Sequence, residues 1–193
     1  HNTIPIHDLE KLSDEDCWLL LAKHAFRNEN PGAHPDLVEI GKQIARKCDG
    51  LPLAAKTLGG LLSCNLDYKE WNHILNSNLW DLQHADSVLP SLRLSYHYLP
   101  AHLKRCFAYC SIFPKDYEFE KENVILLWVA EGLIPQPESE KAMEEVGERY
   151  FDELLSRSLF QRSRLDQPKF TMHDLINDLA MSLSRKFCFR LDQ

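Results

Sequence analysis

Lys169-Phe170-Thr171-Met172-His173-Asp174-Leu175-Ile176-Asn177-Asp178-Leu179-Ala180 changes its period in the middle. Phe170 and Met172 flank Thr171 in a short apolar–polar alternation, the pattern of a strand end. From Leu175 onward the spacing is helical: Leu175, Ile176, Leu179, Ala180 and Leu183 share one face. Thr171 and Asp174 stand at capping-box spacing across the switch, which predicts Thr171 as the N-cap and Asp174 as its partner. His173 then falls in the first turn, where unpaired N–H groups and the helix dipole favour an anion. A histidine adds a ring donor there, so a phosphate fits the site chemically. The same residues also describe an ordinary capped helix with a surface histidine, and from them alone both readings stand.

The chain has 193 residues, room for one large domain or two small ones, and its 44% hydrophobic content is enough for a packed core. It begins at His1 without a signal-peptide pattern, which leads us to expect a piece of something longer. The longest apolar run, Val124 to Ala130, is far too short for a membrane span. A net charge of −7 argues against a general nucleic-acid binder, which needs a basic face. The six cysteines, Cys17, Cys48, Cys64, Cys106, Cys110 and Cys188, include no CxxC pair, and most lie in apolar helical patterns. They read as reduced, buried thiols of a cytosolic protein. His102, Cys106 and Cys110 recur every four residues and could share a helix face. Core packing explains them more simply than a metal, which would want a fourth ligand.

Upstream, 1–12 reads as the tail of an earlier unit or a linker. Ser13, with Asp16 as capping partner, opens a helix that buries Trp18, Leu21, Ala22, Ala25 and Phe26. A second helix carries the stripe Leu37, Ile40, Ile44, Ala45 and Cys48, with Gly50 placed as its C′ glycine. Pro52 suits the first turn of a third helix, where its missing N–H costs nothing. Gly59-Gly60 in that helix would let a neighbour approach closely. Asp67 and Glu70 open a fourth helix through Trp71. Residues 13–82 thus read as a small helical bundle.

Residues 83–193 read as helices up to Leu155, then two strands, Leu159–Arg164 and Lys169–Met172, then the helix after His173. Helices followed by such a hairpin point to a winged helix. The alternation of Phe187, Phe189 and Leu191 with Cys188 and Arg190 suggests a closing strand or a lead into the next domain. The expected fold class is mainly α: a helical bundle followed by a winged-helix domain with a short β-hairpin.

Three stretches resemble the plant NB-ARC immune receptors of the coiled-coil type, in the family's order. Met172-His173-Asp174 resembles the MHD motif, Gly50-Leu51-Pro52-Leu53-Ala54 the GLPL motif, and Cys106-Phe107-Ala108-Tyr109-Cys110-Ser111-Ile112-Phe113-Pro114 the stretch before the winged helix. Together they span most of the chain. The resemblance implies the two ARC subdomains of a defence switch controlled by ADP and ATP. It implies that His173 contacts the β-phosphate of ADP, and that Pro52, with Leu53, packs near the adenine. Gly50, Thr171, Met172 and Asp174 would shape these turns. It further implies a nucleotide-binding domain and leucine-rich repeats as partners in the same parent, and an oligomer on activation. No stretch matches G-x-x-x-x-G-K-[ST], so the expected contribution is contacts to ADP, mainly held elsewhere, with no catalysis and no metal. The alternative is a winged-helix DNA reader. The helix from Lys141 to Arg157 opposes it, because Glu144, Glu145, Glu148, Asp152 and Glu153 outweigh its basic residues.

Overall fold

A computed structural model of the chain describes residues 10–81, 89–135, 140–163 and 168–188. The fold is mainly helical, with a small antiparallel sheet. The chain divides into two compact units, 1–76 and 77–193.

In the first unit, α1 (Asp14–Phe26) starts where the Ser13 hydroxyl oxygen accepts the Asp16 N–H at 3.1 Å. Its expected inner face is buried: Trp18, Leu21, Ala22, Ala25 and Phe26, joined by Cys17. Helix α2 (Pro35–Lys47) and α3 (Pro52–Leu62) both pack on α1, and α4 (Tyr68–Leu75) packs on α2. Asp67 caps α4 by accepting the Lys69 and Glu70 N–H groups. Trp71 is fully buried, lies 5.5 Å from the Phe26 ring, and donates its indole N–H to Leu62 and Asn65 carbonyls. Its polar atom is satisfied, so the ring contributes its whole apolar surface to the core.

In the second unit, α5 (Pro90–His97) and α6 (Ala101–Tyr109) precede a short 3₁₀ turn over Cys110–Ile112. Strand β1 (Phe119–Glu120) runs directly into α7 (Lys121–Ala130), and α8 (Glu140–Ser156) packs on α7. Strands β2 (Gln161–Arg162) and β3 (Lys169–Thr171) lead to α9 (Asp174–Cys188). The sheet order is β1-β3-β2, with Phe119 opposite Phe170 and Gln161 opposite Thr171. Phe151 is the hub of the core, with the rings of Phe160 at 5.1 Å, Phe170 at 4.8 Å and Trp128 at 6.3 Å. Strand β1 has no sequence signal, because two residues are too few for an alternation to show. The closing strand is a correction. Helix α9 continues through Phe187 and Cys188, so that alternation begins inside a helix, and its remainder lies outside the described residues.

Among the described residues no helix is long and apolar enough to cross a membrane. The expected tail at 1–12 lies mostly outside the described residues.

Candidate functional site

The turn before α9 differs from its sequence reading in one respect. Thr171 is not the cap. It is the last residue of β3, held extended by pairing with Gln161, and its hydroxyl lies 3.4 Å from the Met172 carbonyl. The helix starts later, at Asp174, and His173 is the residue that caps it. The Leu175 N–H donates to His173 Nδ1 at 3.2 Å, and the His173 carbonyl accepts the Ile176 and Asn177 N–H groups at 2.8 and 2.9 Å. Asp174 is therefore the first helical residue and not a capping-box partner. Its exposed carboxylate sits where the helix dipole favours negative charge.

An Nδ1 that accepts a hydrogen bond carries no proton, so the neutral ring keeps its proton on Nε2. His173 is exposed, and in that tautomer its second nitrogen is a donor. Met172 is buried beside it and anchors the turn to the core, as do Ile176, Leu179 and Ala180 of α9. Among the described bonds the Asp174 N–H has no acceptor. A histidine ring and the positive end of a helix dipole therefore meet at this turn. That set can receive a phosphate oxygen.

Two further residues, which the sequence did not single out, hold this turn. Asn177 is buried and donates its side-chain amide to the Phe113 carbonyl at 2.8 Å. Asp178 pairs with Lys115 at 2.8 Å. Neither contact has a local signature, because each joins residues more than sixty positions apart in the chain.

The second candidate stretch belongs to the first unit. Helix α2 ends with Cys48 in a helical conformation, after which Asp49 and Gly50 both take positive φ, +52° and +68°. Asp49, not Gly50, is thus the first left-handed residue. Gly50 is fixed for a second reason: a Cβ there would lie 2.6 Å from the Leu12 carbonyl oxygen, while the Gly50 carbonyl accepts the Leu12 N–H at 2.9 Å. Pro52 is the first residue of α3, as its chemistry demands, and its ring is exposed; Leu53 beside it is half-buried. The turn therefore presents an apolar surface next to a helix start whose N-cap, Leu51, offers no side-chain bond. Pro52 and His173 lie in different units.

The His102, Cys106 and Cys110 series divides. Cys106 and Cys110 are buried, as are Cys17 and Cys48, whereas Cys64, expected to be buried, is exposed just past the end of α3; burial pushes the Cys106 thiol up to about 12. The Cys106 carbonyl accepts the Trp128 indole N–H at 3.2 Å. His102 is exposed and stacks on Tyr150 at 4.5 Å. Among the described residues no group of three or more such side chains could hold a metal ion.

Residues 112–180 match the family described as the disease resistance protein winged helix domain. The chain is 49% identical over 190 residues to RPP13-like protein 1, a disease resistance protein of Arabidopsis thaliana, covering 98% of this chain and 18% of that protein. It is 48% identical over 184 residues to disease resistance protein RGA2 of Solanum bulbocastanum, covering 94% of this chain and 19% of that protein. Disease resistance protein RPM1 of Arabidopsis thaliana is 33% identical over 192 residues, covering 94% of this chain and 21% of that protein. The chain thus spans about a fifth of the length of the relatives it matches.

Proposed function

This chain belongs to the plant disease resistance proteins, with residues 112–180 their winged-helix domain, and from that premise we propose that it is the regulatory part of an ADP/ATP-controlled switch in an immune receptor. In this reading His173 donates its Nε2–H to the terminal phosphate of ADP in the closed, inactive state. Pro52 and Leu53 offer an apolar surface to the adenine. The nucleotide-binding domain and the repeats of the same receptor are the partners, and the receptor assembles when the clasp opens. The chain contributes contacts and no catalysis, and it works in the cytoplasm.

The observation that carries the reading is the hydrogen bond from Leu175 N–H to His173 Nδ1. In the neutral ring it leaves the proton on Nε2, at the end of a helix whose dipole favours an anion. ADP stabilises the closed state only by the excess of its affinity for that state. A hydrogen bond to a charged group is worth about 1.5–3 kcal/mol, or roughly one to two decades in the closed-to-open ratio. DNA binding gains no support, because exposed Glu144, Glu145 and Glu148 line α8, the helix that leads into the hairpin.

The test is ADP dissociation from the purified full-length receptor carrying His173→Asn. Asparagine can still cap the helix but lacks the reach of Nε2. Release should accelerate by about one to two decades, with signalling raised in the absence of a trigger. Unchanged release would remove the phosphate role.

A further inference from the structure

The ring of His173 is exposed, and its described bond is to the first turn of its own helix. The direction of its Nε2–H is therefore inherited from how α9 sits. The buried face of α9, Ile176, Leu179 and Ala180, holds the helix down through apolar contact, whose driving force is non-directional. Among the described residues two polar contacts add direction: Asn177 Nδ2–H to the Phe113 carbonyl at 2.8 Å, and Lys115 to both Asp178 oxygens at 2.8 and 2.9 Å.

Both tethers end on one stiff loop. Tyr117 N–H closes a turn onto the Pro114 carbonyl at 3.2 Å, and the Phe113 and Tyr117 rings stack at 5.2 Å with planes 5° apart. Phe113 also stacks on Phe119 at 5.2 Å. Phe119 opens β1 and pairs with Phe170 of β3, the strand that runs into His173. The circuit is closed: the strand before His173 and the helix after it are tied to the same frame.

We propose that the Phe113–Tyr117 loop positions His173 through this double tether, with Lys115 as its adjustable arm. The inference rests on the phosphate-facing role proposed for His173. Asn177 supplies the fixed arm, because its side chain is buried. The Lys115–Asp178 pair is partly exposed, with side-chain exposures of 45% and 33%, so salt and nearby charges can weaken it. Lys115 is a positioning residue. It acts on the nucleotide only through the orientation of His173.

The experiment compares Lys115→Met with the swapped pair Lys115→Asp/Asp178→Lys in this chain. It reads Leu175 amide exchange and the His173 ring nitrogen shifts by NMR, beside urea unfolding. Lys115→Met should speed Leu175 exchange about two- to fivefold, the range of a partly exposed ion pair. It should also move the His173 signals and leave the urea midpoint nearly unchanged, and the swapped pair should restore both NMR readouts. High salt on the unmodified chain should speed the same amide. Unchanged Leu175 exchange and His173 signals in Lys115→Met overturn the proposal, as does a change that the swap fails to restore. A parallel arm measures ADP release from the full-length receptor. Faster release in Lys115→Met, smaller than in His173→Asn, supports the inference. NMR changes with unaltered ADP release keep the positioning and remove the phosphate role.

Discussion

His173 caps the helix that it opens: its Nδ1 accepts the Leu175 N–H at 3.2 Å, and its carbonyl takes the N–H groups of Ile176 and Asn177. One ring nitrogen is taken up by the helix, and the other is left for a second contact. Stability and any phosphate contact thus meet in one side chain, through different atoms, and substitutions can separate them.

His173→Ala removes the cap acceptor and should cost about 1 kcal/mol, the usual loss at an N-cap. His173→Asn should cost a few tenths or nothing, because asparagine is among the best N-cap residues. Urea unfolding of the two variants is the check. Equal losses would mean that the ring nitrogen caps nothing.

Thr171→Val should change stability by no more than about 0.5 kcal/mol, because the residue pairs in β3 and valine suits a strand equally well. A loss near 1 kcal/mol on thermal or urea unfolding would restore the hydroxyl as a cap.

The miss at Thr171 shows where local reading ends. Ser13 and Asp67 were legible as caps because nothing competes for their backbone. At Thr171 a strand competes and wins: pairing with Gln161 keeps the residue extended, and the helix begins later, at Asp174. The inner face of α1 was legible because a helical period repeats over several turns, whereas β1 has no room for a period at all. Lys115 and Asn177 were invisible for a different reason. Their partners are remote in sequence, and a lysine near an aspartate in space leaves no mark on either one's neighbours in the chain.

Gly59 sits where α3 meets α1, and a Cβ there would lie 2.6 Å from both the Leu21 carbonyl oxygen and the His24 Cβ. Neither is the loose end of a side chain, so the helices must part. Gly59→Ala should therefore lose about 1–3 kcal/mol by overpacking, although alanine is the better helix former. A variant as stable as the parent in urea would show that α1 shifts at little cost.

His24 lies on the same α1–α3 seam and gives that unit a pH dependence. Its pKa is lowered from 6.5, first by burial and then by the charges of Lys56, Lys23 and Arg27. The unfolded chain therefore binds a proton at His24 more readily than the folded one, and stability rises with pH in that window. Its full contribution is present above about pH 6.5 and is lost as pH falls from there towards the lower folded value. His24→Gln cannot be protonated and should flatten this part of the curve. Raising the salt should also flatten it, by screening the three cations. The measurement is urea unfolding of the parent and the variant between pH 5 and pH 8, taken as a difference so that the other histidines cancel. Parallel curves would mean that His24 is protonated as easily in the fold as out of it.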